Sequence, residues 1–162
     1  MTCQVLDTTV LSNFAHVQRP DLLYRILGST VITAANVMAE LRMGEVRGLV
    51  PRCDWRWLAV VKPEPEEERL ANAFRDRVDA GEAECLAMAI LRHCSLLTDD
   101  FAARRLAAEQ GVPVSGTLGL LARLVQVQHL SLAQADQLLA DMRSHGYRVP
   151  IRSLAELGLE LG

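Results

Sequence analysis

Short apolar runs alternate along this chain with longer stretches in which apolar residues recur every three or four positions. A short continuous apolar run is typical of a strand buried on both faces, whereas the longer period is typical of a helix. Their alternation predicts an α/β fold with a central, mostly parallel sheet, because helices carry the chain between parallel strands. The predicted strands cover residues 3–6, 31–33, 58–61, 95–98 and 112–114, with a last strand at 147–151.

The segments between these strands contain the start and stop signals of helices. Pro20 favours a helix start and Gly28 a helix end, and Ser131 is a typical N-cap. The helix that starts at Gly81 carries apolar residues over most of its surface, which predicts that it is buried. One further helix is predicted to follow Asp7 with a threonine as its cap, one to start at Gly116 and a short one to lie after residue 151. The remaining predicted helices cover residues 20–27, 34–44, 66–78, 101–110 and 132–144.

Length and composition are those of one folded domain. The chain has 162 residues, half of them apolar, and no linker or repeat divides it. We therefore expect a single domain over residues 1–162, with a core at about 4–150 and a tail at 151–162. The net charge of −3 excludes a global basic field, so a nucleic-acid ligand would need a local basic surface.

Four cysteines are present, and none has the spacing of a zinc site. Cys3, Cys53, Cys85 and Cys94 are expected to be reduced and mostly buried, which favours a cytoplasmic location. The N-terminus does not show the pattern of a signal peptide, and no apolar run approaches the length of a transmembrane helix.

Two of the predicted strands end in acidic residues. Asp7 follows the first strand, and Asp99 and Asp100 follow the strand at 95–98. The carboxyl ends of parallel strands meet at one edge of a sheet, where open α/β sheets usually carry their sites. These acids therefore predict a cluster at that edge, although Asp7 is equally well explained as the N-cap of the following helix.

Three glutamates on helices are candidates to join this cluster. Glu82 and Glu84 begin the central helix, and residues two apart on a helix point to different faces. Glu40 lies beside an apolar stripe, which leaves open an inward-facing carboxylate or a charge on a solvated face. Converging carboxylates repel one another unless a cation lies between them, and hard oxygen ligands select Mg²⁺ or Mn²⁺ over zinc.

Four short blocks of the sequence contain these acids, and a fifth block follows them along the chain. They are Val5-Leu6-Asp7-Thr8-Thr9, Val37-Met38-Ala39-Glu40-Leu41, Gly81-Glu82-Ala83-Glu84, Leu96-Leu97-Thr98-Asp99-Asp100 and Gly116-Thr117-Leu118-Gly119-Leu120-Leu121. In this order the blocks resemble those of PIN domains, and most closely the branch similar to VapC-type toxins. The resemblance covers about residues 4–150 and implies a three-layer α/β/α PIN-like fold.

The resemblance also implies a metal-dependent endoribonuclease whose carboxylates bind Mg²⁺ or Mn²⁺. Asp7 matches the first acid of the family and is expected to bind metal, and Thr9 matches a hydroxyl position near it. Glu40 matches the second acid and is expected to position the attacking water or to hold a second ion.

The third and fourth acids of the family each leave a choice in this sequence. The third is usually aspartate, and here counting back from Thr98 favours Glu82 over Glu84. The same spacing favours Asp100 over Asp99 as the fourth. The expected catalytic residues are Asp7, Glu40, Glu82 and Asp100, and the candidate metal ligands are these four with Glu84 and Asp99.

The resemblance further implies RNA as substrate, an antitoxin protein as partner and pairing as a homodimer, with no role for a membrane. Arg104, Arg105 and the loop around Trp55 are weaker candidates for RNA contact, and ordinary surface packing explains them at least as well. A catalytically weak PIN-fold module that binds RNA or protein is the alternative function, because glutamate replaces the usual aspartate at the third position. The third hypothesis is a generic α/β protein whose acids are helix caps and solvated surface charges.

Overall fold

A computed structural model describes residues 3–158 of the chain. The strands form one five-stranded sheet in the order β3-β2-β1-β4-β5, and every neighbouring pair is parallel. Val5 of β1 lies opposite Ile32 of β2 and Leu96 of β4, so these three strands end at the same edge. The strands are β1 (Gln4–Leu6), β2 (Val31–Ala34), β3 (Ala59–Val61), β4 (Ser95–Leu97) and β5 (Val114–Ser115).

Eight α-helices flank the sheet in the described part of the chain, which gives the predicted α/β architecture. They are α1 (Thr8–His16), α2 (Pro20–Leu27), α3 (Ala35–Val46), α4 (Pro65–Phe74), α5 (Ala80–Leu91), α6 (Phe101–Glu109), α7 (Thr117–Gln126) and α8 (Leu132–Ser144). Short 3-10 helices cover Gly28–Thr30 and Leu154–Leu157.

The helices pack in two groups that are joined by α3. One group consists of α1, α2, α7 and α8, and the other of α4, α5 and α6. Helix α3 contacts both α1 and α5, and so brings side chains of the two groups together. The central helix α5 is buried as predicted: its buried residues are Gly81, Ala83, Cys85, Leu86, Ala87, Met88 and Ala89.

Three local predictions were wrong. Residues 147–151 form no strand; the segment follows Gly146, and its alternate residues Tyr147, Val149 and Ile151 pack on the core, a pattern that an extended segment shares with a strand. Helix α4 ends at Phe74, because the chain turns there before it buries Val78. Asp7, and not a threonine, is the N-cap of α1.

The expectation of four reduced cysteines was also wrong. Cys3 and Cys94 form a disulfide, whereas Cys53 and Cys85 are free thiols. Cys3 precedes β1 and Cys94 precedes β4, and the parallel pairing of these strands brings the two Cα atoms to 4.8 Å. The prediction of a cytoplasmic location rested in part on Cys3 and Cys94 being reduced, and it loses that support. None of the helices within residues 3–158 combines the length and the apolar character needed to cross a bilayer.

Candidate active site

Asp7 lies at the carboxyl end of β1 and is almost completely buried, with 1% of its surface exposed. One carboxylate oxygen, Oδ1, accepts a hydrogen bond from the Thr8 backbone N–H at 2.7 Å. The other, Oδ2, accepts from the hydroxyls of Thr98 at 2.7 Å and Thr9 at 3.2 Å. Burial raises the pKa of Asp7 to about 6, although these donors act in the opposite direction.

The two threonine hydroxyls also fasten the loop after β4 to the start of α1. Asp99 donates its backbone N–H to Thr9 Oγ1 at 2.8 Å, and Asp100 donates its backbone N–H to Thr98 Oγ1 at 3.2 Å. The hydroxyls therefore bind the Asp7 carboxylate and orient the two acids that follow β4. Their positions explain why a hydroxyl is needed beside the first acid.

Asp99 is held by protein donors on both carboxylate oxygens. Oδ1 accepts from the Thr117 backbone N–H at 2.8 Å, and Oδ2 accepts from Asn13 Nδ2 at 2.9 Å and from the Thr117 hydroxyl. A Cβ atom on Gly116 would collide with Asp99 Oδ1, so glycine is required at this position. Burial raises the pKa of Asp99, and the bonds from Thr117 and Asn13 oppose that rise. These contacts give Asp99 a structural role in joining α1, β4 and α7.

Asp100 is placed differently from its neighbour. It is the N-cap of α6, and its Oδ2 accepts the Ala103 backbone N–H at 2.8 Å. Its Oδ1 has no hydrogen-bond donor within the described residues, and the side chain lines the same pocket as Asp7. The adjacent Phe101 is 78% exposed at the edge of that pocket.

Glu40 reaches the site from α3. Its Oε2 accepts the Thr8 hydroxyl at 2.7 Å, which ties α3 to the first turn of α1. The carboxylate lies close to Gly81 of α5: a Cβ atom there would be in ordinary van der Waals contact with the two Glu40 oxygens, at 3.6 and 3.7 Å. Glu40 is exposed to solvent, yet its carboxylate contacts Thr8 and lines the acidic pocket, so neither alternative describes it fully.

Glu82 and Glu84 diverge, as two residues so spaced on a helix must. Glu82 lines the pocket and forms a capping box with Asp79, whose backbone N–H it accepts at 3.2 Å. Burial, and then the charge of Asp7, raises the pKa of Glu82 to about 7. Glu84 points away from the pocket, where its Oε1 accepts from Asn36, and burial raises its pKa.

These carboxylates line one open pocket of about 500 Å³. Of the six predicted acids, five converge there and Glu84 does not: the pocket contains Asp7, Glu40, Glu82, Asp99 and Asp100, together with Asp79. The sequence reading missed Asp79, although its place one residue before α5 is a recognisable N-cap signal.

The opposite wall of the pocket was not predicted at all. It is formed by His16 at the end of α1 and by His145, Tyr147 and Arg148 after α8. The two imidazole rings stack, with centroids 4.9 Å apart and planes inclined by 15°. Burial, and then the neighbouring His145, lowers the pKa of His16. Nothing in the sequence spacing connects residues so far apart.

The family model described as a PIN domain matches residues 3–160 of the chain. This chain belongs to the PIN-domain family. PIN domains are generally nucleases, so the family indicates a hydrolase of phosphodiester bonds. The match does not distinguish a toxin branch within the family, and the chain matches no curated protein.

The donor set of this PIN domain suits a hard divalent cation. The pocket brings several carboxylates together, and carboxylate oxygens are the ligands that Mg²⁺ and Mn²⁺ prefer. As placed, no three acidic, histidine or cysteine side chains within residues 3–158 form a ready-made metal-binding group. Mg²⁺ usually retains several waters, so ligation partly through water fits this looser arrangement.

The weaker sequence candidates for RNA contact have other roles in this PIN domain. Arg104 donates to the Thr98 carbonyl at 2.9 Å and so supports the loop that carries Asp99. Trp55 is 2% exposed, and Arg56 pairs with Asp54 at 2.8 Å. The loop around Trp55 is therefore a packed surface loop.

Proposed function

We propose that this PIN domain is a metal-dependent endoribonuclease that hydrolyses RNA phosphodiester bonds. The observation that carries the proposal is the convergence of Asp7, Glu40, Glu82 and Asp100 on one open pocket. Their oxygens come from a strand end, two helix N-terminal turns and a bridging helix, so the whole fold contributes to the arrangement.

Each of these residues has a distinct task in the proposed reaction. Asp7, fixed by three donors, and Asp100, fixed at one oxygen, are the ligands that need least reorganisation. A bound Mg²⁺ or Mn²⁺ supplies charge neutralisation at the scissile phosphate and lowers the pKa of water for in-line attack. Glu82, with a pKa of about 7, loses its proton near neutral pH and would then be the third ligand, and Glu40 would orient the water from α3.

Cleavage of labelled RNA is the direct test. A panel of single-stranded and hairpin RNAs, with a DNA of matched sequence, is incubated with Mg²⁺ or Mn²⁺ and with excess EDTA. Asp7→Asn, purified identically, is the matched variant because it keeps the shape of the side chain and removes its charge. We expect cleavage of RNA by the wild type only; cleavage that survives in Asp7→Asn or in EDTA would refute the assignment.

The resemblance to VapC-type toxins supports a narrower proposal, in which the nuclease is the toxin of a toxin–antitoxin pair. A small antitoxin partner and a homodimer belong to the same proposal. Induced expression in a bacterial host tests it: the wild type arrests growth and Asp7→Asn does not. If the two strains grow equally although the wild-type protein is an active nuclease both in the lysate and after purification, the toxin role is refuted and the nuclease proposal stands.

One observation favours a second candidate, a PIN-fold module with weak catalysis. One carboxylate oxygen of Glu82 already accepts a hydrogen bond in the capping box with Asp79. If that bond prevents ligation, the wild type binds RNA and cleaves little, and Glu82→Asp, which has the family's usual acid, cleaves faster. A fall in cleavage for Glu82→Asp would favour the nuclease with Glu82 as its own third acid.

A further inference from the structure

A second surface pocket, of about 540 Å³, adjoins the acidic one. Tyr147 and Arg148 belong to the walls of both. Its character is opposite, because it carries three arginines and no acidic residue: it is lined by Ala140, Arg143, Ser144, Tyr147, Arg148, Val149 and Arg152. We call Arg143, Arg148 and Arg152 the basic surface.

The charges of the basic surface are largely available to a ligand. None of its three arginines forms an ion pair within residues 3–158; Arg143 donates only to the Ile151 carbonyl, at 3.5 Å. Glu156 lies close to this surface: hydrogen bonds from the backbone N–H groups of Ser153 and Arg152 lower its pKa, and the charges of Arg152 and Arg143 add to that effect. Glu156 and Asp136 accept hydrogen bonds from the segment that follows Arg148, but neither lines the pocket, so three guanidinium groups against these two carboxylates leave net positive charge.

An RNA strand needs such a surface to reach this active site. The chain is acidic overall, and the pocket that would hold the scissile bond is lined by carboxylates that repel phosphate. Arginines bind phosphate with paired, charge-assisted hydrogen bonds. Because these arginines lie next to the acidic pocket, the flanking phosphates of an RNA strand can bind them while one phosphate enters the pocket.

The wall between the two surfaces suits unpaired bases. The stacked rings of His16 and His145 line the acidic pocket together with Arg148, and the exposed Phe101 adds an aromatic face to the same pocket. Aromatic and imidazole rings stack on the bases of single-stranded RNA but not on those inside a duplex. The neighbouring features therefore favour a single strand as ligand.

We propose that Arg143, Arg148 and Arg152 bind the phosphate backbone of single-stranded RNA beside the scissile bond. This inference rests on the proposed nuclease function and names the subsite that guides its substrate. It gives the last turn of α8 and the segment that follows it the role of a substrate-binding wall.

Binding is measured separately from cleavage, by fluorescence anisotropy of a 5′-labelled, unstructured 20-nucleotide RNA in EDTA at several salt concentrations. The variant is Arg148→Ala/Arg152→Ala, since both side chains are exposed and neither donates a side-chain hydrogen bond within the described residues. Arg47→Ala/Arg69→Ala is the matched control, because both arginines are exposed and line neither pocket. Thermal melting of all three proteins verifies that they are folded.

We expect the Arg148→Ala/Arg152→Ala variant to bind roughly tenfold more weakly, with the slope of log K against log salt reduced by about 1.4 for two lost phosphate contacts on a single strand. The control should keep the wild-type affinity and slope. An unchanged affinity and slope in the folded double variant would overturn the inference, even if the wild type cleaves RNA. Arginine-dependent binding by a wild type that never cleaves would support the basic surface and refute the nuclease proposal instead.

Discussion

Removing the buried charge of Asp7 should stabilise the metal-free protein. Asp7→Asn keeps the shape of the side chain, and the hydroxyls of Thr9 and Thr98 can rotate to accept the new amide N–H. The pKa of Asp7 rises from 3.8 to about 6 in the folded state because the carboxylate is buried. Such a rise corresponds to about 3 kcal/mol of destabilisation once the group is ionised in both states.

The sign of the effect depends on pH. Below about pH 4 the carboxyl is protonated in the folded and unfolded states, and its pKa shift contributes nothing. Between about pH 4 and pH 6 the unfolded chain loses the proton more readily, so the stability of the wild type falls as the pH rises. Asp7→Asn has no proton to lose, and its advantage should therefore grow over this interval and level off above it.

Thermal and urea unfolding in EDTA, from pH 4 to pH 8, measures this difference. At pH 8 the variant should melt roughly 6 to 12 °C above the wild type, for a gain of up to about 3 kcal/mol in a domain of this size. Asp76→Asn, at an exposed position, is the control and should leave the melting temperature unchanged. No gain at pH 8, or a gain of the same size at pH 4, would refute the reasoning that the buried charge is uncompensated.

Three further predictions concern the metal, the pH profile and the structural network. Mg²⁺ at a hundredfold excess over its Kd should stabilise the wild type by about 2.7 kcal/mol in thermal unfolding and leave Asp7→Asn nearly unaffected; equal stabilisation of both would place the ion elsewhere. The rate of RNA cleavage should rise between about pH 6 and pH 7, because Asp7 and Glu82 must lose protons before they bind a cation; a flat profile would contradict their roles. Thr117→Val removes a hydroxyl that donates to the partly buried Asp99, and should lower stability by about 2 kcal/mol in urea unfolding; an unchanged midpoint would show that this bond is dispensable.

The convergence of the acids was predictable where it follows from strand topology. Asp7 comes directly after β1 and Asp100 three residues after the end of β4, and parallel pairing places the ends of these strands at one edge whatever the details of packing. The choice between Glu82 and Glu84 depends on how α5 is rotated about its axis. That rotation is determined by the elements packed around α5, and it cannot be deduced from the sequence. The structural role of Asp99 likewise depends on Asn13 and Thr117, which arrive from two other helices.

The histidine stack and the disulfide were out of reach for a different reason. His16 and His145 meet only because α1 and α8 pack together, and Cys3 meets Cys94 only because β1 pairs with β4. Sequence periodicity identifies each element but not its neighbour. The extended segment after Gly146 shows the converse, since its alternating pattern is that of a strand while its backbone pairs with none in the described sheet.

The threonine hydroxyls that hold Asp7 also keep this part of the site organised without a metal. Because Thr9 and Thr98 bind the carboxylate and the loop after β4 at once, the fold positions its first ligand before any ion arrives. Under the proposed function, a cation would meet a partly organised shell and would have little chain left to order. Metal supply would then control the activity of an already folded protein, and removal of the ion would abolish cleavage without unfolding the chain.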